Sequence, residues 1–308
     1  MKTYNQVAIV SGSSFIAKET IRALKFNNKL NIISKTRLKT SIYLNLNHKL
    51  YYDNLIANKN IINYLGDSKI LINFAYVKKN KTKNIILIRN LIRSINQSNI
   101  KRFIHVSTAV VSGLNQKSVL NEDAENIPIS DYQVTKLKIE EELKKKLSRK
   151  IKLIIIRPTE VISIKNYTII DKIIFRVKNF YICNYLINFF LKNRKINVVC
   201  LPNLVHAIIF LINKKNLFLR ETYIISDSDI KINYGFFFDF INNFINIKYY
   251  RSIFSINLKL LAIIYKIILP SHSNPVIHYS NKKIQQIGYK KKISLSNFLI
   301  KMIKYKNI

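Results

Sequence analysis

Short apolar runs that alternate with stretches of helical spacing constrain this chain more than any other feature. Val7 to Val10, Leu30 to Ser34, Ile70 to Ala75, Phe103 to Ser107 and Leu153 to Ile156 are each strand-sized, and Ile42 to Leu46 is a further short run. Between them, Phe15 to Leu24, Asn54 to Tyr64 and Tyr132 to Leu147 read as helices, and Lys83 to Gln97 places Ile85, Ile88, Leu91, Ile92 and Ile95 on one helical face. Strands joined through helices need crossover connections, which give a parallel sheet covered on both faces. After Arg157-Pro158 the alternation fades. Residues 164–194 read as helical and irregular, Val198 to Leu201 and Tyr223 to Ile225 as late strands, and the tail from residue 230 as mostly helical. The expected architecture is α/β: a doubly wound parallel sheet with a smaller, mostly helical C-terminal lobe.

Charge points elsewhere at first sight. The 308 residues hold 52 Lys and Arg against 16 Asp and Glu, a formal net charge of +36. Such a balance suggests nucleic acid or an anionic surface. The lysines are spread along the whole chain, however, beside a matching excess of Asn and Ile and only five Gly, the signature of an AT-rich coding sequence. No zinc-finger spacing or base-stacking signature accompanies them. The charge is therefore read as dispersed, with no specific nucleic-acid partner.

Other classes fall away in turn. Cys183 and Cys200 match no metal or CxxC pattern and read as reduced thiols. His48, His105, His206, His272 and His278 lack metal-ligand spacing, so no metal is expected; His105, in an apolar strand, reads as a satisfied core residue. Asp227 and Asp229 read as a solvated loop. No Gly-x-Ser-x-Gly elbow is present. No transmembrane segment or signal-peptide core is indicated, which reads as a cytoplasmic protein. The best membrane candidate, Ile253 to Leu269, is interrupted by Asn257, Lys259 and Lys266 and reads as a half-buried helix of the lobe.

Two segments carry chemistry. Ser11-Gly12-Ser13-Ser14 sits where the first strand gives way to the first helix, the place for a phosphate loop: small residues let the backbone approach, and N–H groups at a helix start attract a pyrophosphate. Further on, Tyr132 and Lys136 stand four apart on one helix face. A lysine there can lower the phenol pKa by placing positive charge beside a developing phenolate.

These segments, in this order, resemble the extended short-chain dehydrogenase/reductase family, in its branch of nucleotide-sugar epimerases and dehydratases. Phe15-Ile16 match the family's Gly-x-x-Gly-Phe-Ile-Gly loop, while Ser11, Ser14 and Ala17 stand where its glycines fall; alternatively, Gly12 is the first glycine of a loop one residue shorter. Thr108 holds the strand-end Ser/Thr position, five residues before Gly113, with Ser112 at the usual tyrosine. Tyr132-Gln133-Val134-Thr135-Lys136 reproduces Tyr-x-x-x-Lys, preceded by Ser130 and followed by Glu140; Ile156-Arg157-Pro158 matches the family's Arg-Pro. Leu71 to Tyr76 resembles the segment that covers the cofactor, and Asn203 stands at the Asp of a later Val-x-Asp motif. The resemblance covers nearly the whole chain.

It implies a Rossmann-type NAD(P)-binding domain over residues 1–165 and 195–226, with a substrate-binding lobe over 166–194 and 227–308. It implies hydride transfer at a sugar carbon: a nucleotide-sugar 4-epimerase or 4-keto reductase with Tyr132 as acid/base, Lys136 tuning it and Thr108 bonding the substrate oxygen. The substrate would lie between the sheet's C-terminal edge and the lobe. The implied cofactor-binding residues are Ser11, Gly12, Ser14, Phe15, Ile16, Lys35, Arg37, Asn45, Leu46, Phe74, Ala75, Tyr76 and Lys136. Ser34-Lys35-Thr36-Arg37 holds no acid for a ribose 2′-hydroxyl, which leans towards NADP over NAD. Ala109 and Val110 stand where the family's dehydratases carry Asp-Glu, so a dehydratase is disfavoured. The expected partner is a nucleotide sugar, with a homodimer left open. The rival reading is a non-catalytic NAD(P)-binding sensor or scaffold of the same fold.

Overall fold

The computed structural model describes residues 5–24, 28–35, 49–57, 61–179, 184–229, 231–245, 254–268 and 274–306. In chain order they form β1 (Asn5–Val10), α1 (Phe15–Leu24), β2 (Asn28–Ser34), β3 (Lys49–Tyr52), α2 (Ile62–Leu65), β4 (Ile70–Asn73), α3 (Lys81–Asn96) and β5 (Arg102–Val106). There follow β6 (Val119–Leu120), α4 (Asp131–Lys146), β7 (Lys152–Pro158), β8 (Glu160–Ile162), α5 (Ile169–Asn179), α6 (Asn184–Leu191) and β9 (Val198–Cys200). The remainder is α7 (Leu201–Asn213), β10 (Arg220–Ile225), α8 (Tyr234–Ile245), α9 (Leu258–Ile268), β11 (His278–Tyr279), α10 (Lys282–Gln286) and α11 (Leu295–Tyr305). The chain divides into two compact units: Met1–Val111 with Ser130–Arg157 and Val205–Tyr223, and Ser112–Ile129 with Pro158–Leu204 and Ile224–Ile308.

A seven-stranded sheet in the order β10-β7-β5-β4-β1-β2-β3 organises the first unit. This is the Rossmann-type α/β arrangement. The pairings from β3 to β7 are all parallel, with Ile9 between Ile32 and Ile72. The apolar runs are continuous, not alternating, because helices cover both faces of such a sheet. Val7 to Val10, Leu71, Ile72 and Ile154 to Ile156 are accordingly fully buried. One core cluster joins Ala8, Val10, Leu71 and Phe103 to Leu87, Leu91 and Ile95 of α3 and Ile139 and Leu143 of α4. Each such Leu or Ile contributes about 1.5–3 kcal/mol on burial. The strand order reverses direction at β1, between β2 and β4, and the crevice outside the strand ends there is where such sheets take ligands.

The second unit is mainly helical, with two-stranded pieces β6–β11 and β8–β9. Its core joins Ile170, Ile173 and Val177 of α5 to Phe237 and Ile241 of α8 and Phe298 and Met302 of α11. Gly113 is obligatory in this unit: at φ 58° it approaches Ile127 so closely that a Cβ would stand 1.6 Å from the Ile127 carbonyl oxygen.

Two local expectations change, and a third lies outside the described residues. The strand expected at Ile42 to Leu46 lies outside the described residues, and β3 forms at Lys49–Tyr52. The helix expected over Asn54 to Tyr64 shrinks to a turn at 55–57 and the four residues of α2, with 58–60 outside the described residues. The Asn54 side chain accepts from the Ile56 N–H at 3.3 Å, a local bond that competes with helix. Asp227, expected in a solvated loop, is buried; Asp229 is exposed. The Asp227 carboxylate accepts from the Cys200 N–H at 2.7 Å and the Asn203 amide at 2.8 Å, where α7 begins. A carboxylate at a helix start is favoured by the helix dipole. Burial and this carboxylate push the Cys200 thiol well up, so it is an inert structural cysteine; Cys183 lies outside the described residues.

Candidate active site

The site is built on the strand ends of the first unit. β1 ends in a turn in which Ser11 adopts φ 64°, a left-handed conformation that glycine takes freely and serine pays for. The Ser11 and Gly12 N–H groups donate to the Ile33 carbonyl of β2, at 2.9 and 3.3 Å. Ser14 Oγ accepts from the Ala17 N–H at 3.2 Å and caps α1. Ala17 is fully buried, so α1 packs closely beneath the turn. Phe15 is exposed and Ile16 half-buried in the first helical turn. The turn thus combines one glycine with a left-handed serine and a serine cap.

The end of β4 is tied to this turn. The Phe74 N–H donates to the Val10 carbonyl at 3.1 Å. Asn73 Oδ1 accepts from the Ala75 N–H at 2.9 Å, and its Nδ2 lies 3.1 Å from His105 Nδ1. Phe74 and Ala75 are therefore held buried, with Tyr76 half-buried beyond them. His105 Nε2, by contrast, has no hydrogen-bond partner among the described residues, so this core histidine is satisfied on one side only. Burial, with the charge of Lys136 next, holds His105 well below the ordinary histidine pKa, as a neutral ring.

Thr108, Tyr132 and Lys136 come together. Thr108 follows β5 and is buried, close enough to Tyr132 that its hydroxyl pulls the phenol pKa down. A reciprocal cap fixes the start of α4: Ser130 Oγ accepts from the Gln133 N–H, and Gln133 Oε1 accepts from the Ser130 N–H. One turn on, the buried Lys136 Nζ donates to the Val106 carbonyl at 3.1 Å and lies 4.8 Å from the Tyr76 ring centre. The Tyr76 and Tyr132 rings meet edge to face, with centroids 5.2 Å apart.

The electrostatics follow from desolvation. Burial lowers Lys136 to about 8, opposed by the Glu140 carboxylate. Tyr132 is 41% exposed as a residue, but its hydroxyl end is enclosed by protein. Burial raises the phenol above its ordinary value and Tyr76 adds to the rise, while the Thr108 hydroxyl pulls it down. The lysine expected to lower this phenol points instead at the Val106 carbonyl and the Tyr76 ring.

Beneath lies a network that spacing alone did not assign. Glu140, one turn past Lys136 and fully buried, accepts from Ser107 Oγ at 2.5 Å. It also takes a two-pronged contact from Arg157, with Nη2 at 2.7 Å and Nε at 3.1 Å. The legible signal was a lone arginine closing the apolar run Leu153 to Ile156. Glu122, from the acidic loop before α4, instead accepts from the Ile224 N–H at 2.7 Å, a structural role in the second unit. Lys35 is exposed just past β2, and Arg37, Asn45 and Leu46 lie outside the described residues.

Among curated protein sequences, none matches this chain. Solved structures do match in fold. The UDP-glucuronic acid 4-epimerase of Bacillus cereus, in complex with NAD, has a TM-score of 0.73 at 16% identity, with 98% of each chain covered. The UDP-N-acetylglucosamine 4-epimerase of Methanobrevibacter ruminantium, in complex with UDP-N-acetylmuramic acid, gives 0.74 at 16%, covering 100% of this chain and 99% of that one. The Bordetella bronchiseptica enzyme WbmG, in complex with NAD, gives 0.75 at 11%, covering 99% and 94%. A model of the NAD dependent epimerase/dehydratase family matches residues 8–179, more than half of the sequence. With this match the strand-end site acquires its family: the chain belongs to the NAD dependent epimerase/dehydratase family.

Proposed function

We propose that this protein is an NAD(P)-dependent nucleotide-sugar oxidoreductase, either a 4-epimerase or a 4-keto reductase. The observation that carries the reading is the buried Lys136 one helical turn past Tyr132, its Nζ on the Val106 carbonyl and 4.8 Å from the Tyr76 ring that Tyr132 meets edge to face. Tyr132 moves the proton at the sugar oxygen, Thr108 holds that oxygen, and Lys136 supplies positive charge and a donor to a ribose hydroxyl. The raised phenol keeps its proton at neutral pH, which suits the half-reaction that protonates a keto oxygen. The residues fit a dinucleotide: the β1–α1 turn is small-residue and capped for a pyrophosphate, and Phe74, Ala75 and Tyr76 line the adjoining strand end. A dinucleotide held there would supply the hydride exchange at the sugar carbon.

Ala109 is buried directly after Thr108, and neither it nor Val110 carries a carboxylate for eliminating water, which speaks against dehydration. We read the lobe over 166–194 and 227–308 as the source of sugar specificity. Lys35, exposed past β2 in the acid-free segment Ser34-Lys35-Thr36-Arg37, supports NADP over NAD; titration of the two dinucleotides decides this, and equal or tighter NAD binding overturns it. A panel of UDP-linked sugars, UDP-glucuronic acid included, is incubated with the holoprotein and followed for 4-epimers and for NAD(P)H oxidation with 4-keto sugars. Turnover on any member supports the reading. One observation favours the second reading, a non-catalytic dinucleotide sensor: the strained serine in place of a glycine at position 11. Bound dinucleotide released on denaturation, with no turnover on the panel, would select it.

A further inference from the structure

We infer that His105 is a positioning residue: acting through Asn73, it holds the Phe74-Ala75-Tyr76 segment at the end of β4 and, with it, the Tyr76 ring beside the Lys136 ammonium. Only the effect on turnover rests on the oxidoreductase reading. His105 and Asn73 are register partners on β5 and β4, and both are fully buried. The Ala75 N–H can only donate, and it meets Asn73 Oδ1 at 2.9 Å. That bond turns the other end of the amide, Nδ2, towards His105 Nδ1, 3.1 Å away. An amide nitrogen only donates, so Nδ1 must accept. The single proton of the neutral imidazole then lies on Nε2. This tautomer completes a chain from β5 to the Ala75 backbone, whereas the other tautomer would set two donors against each other.

Stability does not account for this histidine. Its Nε2 has no partner among the described residues. A buried donor left unpaired costs stability. His105 pairs in register with Asn73 on one side and Ile155 on the other, and it shares its sheet face with Phe103, ring centroids 6.4 Å apart. A leucine would fill such a place with no polar atom to bury. What it could not offer is an acceptor. Without one, Asn73 Nδ2 is itself unpaired, and the amide is free to turn its oxygen off the Ala75 N–H. The consequence reaches the candidate site directly. Phe74 and Ala75 are buried at the strand end proposed for a dinucleotide, and the ring of Tyr76, the next residue, stands 4.8 Å from Lys136 Nζ. That ammonium donates to the carbonyl of Val106, the neighbour of His105. A neutral ring suits the place, because a second cation would oppose Lys136; burial and then the Lys136 charge hold His105 well below the ordinary histidine pKa.

The first test needs neither turnover nor a destabilised variant. Proton–nitrogen correlation spectra of the histidine rings, with His105 assigned by its loss in His105→Asn, should show its one proton on Nε2 at neutral pH. A proton on Nδ1 overturns the proposal. The second test compares His105→Leu, which has no acceptor, with His105→Asn, which carries its amide oxygen on Cγ as histidine carries Nδ1. Hydrogen exchange at the Ala75 amide should quicken on the order of ten-fold in His105→Leu and return close to the wild-type rate in His105→Asn. The melting temperature of His105→Leu should hold, since one unpaired N–H group leaves as another appears. The Kd and KM for the dinucleotide should rise on the order of ten-fold in His105→Leu, with kcat changed less, and His105→Asn should restore them. Ala75 exchange or dinucleotide affinity that is equal in all three proteins overturns the proposal. So does a fall in melting temperature shared by both variants, which would make His105 a plain core residue. A wild-type protein that turns over no nucleotide sugar would sink the oxidoreductase reading alone; the tautomer, the exchange and the dinucleotide Kd still decide the role of His105.

Discussion

The ammonium of Lys136 stands 4.8 Å from the ring centre of Tyr76 while it donates to the Val106 carbonyl. A desolvated cation over an aromatic face gains about 2 kcal/mol, so Tyr76 helps keep this buried lysine charged. Tyr76→Leu keeps the site filled and removes the ring. The Lys136 pKa should then fall below its value of about 8, by on the order of one pH unit, and Tyr76→Phe should leave it nearly unchanged. Lysine titration by NMR reads this without turnover, and the basic limb of the rate profile should move with it.

Lys136 is also held at a cost to the fold. Its pKa is lowered on folding, so between about 8 and the ordinary lysine value the unfolded chain binds more protons and stability rises with pH. Below about 8 the full cost of a buried charge is present. Lys136→Met should raise stability at neutral pH by up to roughly 3 kcal/mol and abolish turnover. A melting temperature that falls would contradict this account.

Tyr132→Phe removes only the phenol hydroxyl near Thr108. Turnover should fall by ~10²–10⁴-fold with the melting temperature nearly unchanged. Thr108→Val should act on the chemical step while Thr108→Ser is tolerated. Steady-state rates beside thermal melts separate this from a purely structural role, which would move the melt and spare the rate.

Glu140 and Arg157 form a buried ion pair with Ser107 as a third member. Breaking one side leaves an uncompensated charge, so Glu140→Leu should cost about 3–5 kcal/mol. The double variant Glu140→Leu, Arg157→Met should recover part of that, because the Arg157 guanidinium is no longer buried without its partner, while Lys136 still loses the Glu140 carboxylate. Denaturant unfolding of the two variants measures the difference.

Ser11 holds a left-handed backbone that costs an L-residue about 1–2 kcal/mol. Ser11→Gly should relieve part of it, stabilising the fold by on the order of 1 kcal/mol after the entropy of glycine is counted. Unfolding midpoints check this. Dinucleotide affinity should hold or improve.

Apolar runs such as Val7 to Val10 and Leu153 to Ile156 determined the sheet from the sequence alone, because strands buried on both faces must be continuously apolar. The capped start of α4 and the four-residue step from Tyr132 to Lys136 were equally legible, since both depend on neighbours along the chain. Residue spacing could not say where the Lys136 ammonium would point. That was decided by Val106 and Tyr76, which reach it from the ends of β5 and β4, so the expected lowering of the Tyr132 phenol gave way to a rise driven by burial. The pairing of Glu140 with Arg157 was hidden for the same reason: the partners are seventeen residues apart and meet only when α4 packs on the sheet. Asp227 looked like loop from its neighbours and became buried because Cys200 at the end of β9 and Asn203 in α7, more than twenty residues earlier, supplied its hydrogen bonds. Local sequence fixes periodicity and caps; which charges are buried, and against what, is set by contacts between distant segments, whose desolvation no local pattern encodes.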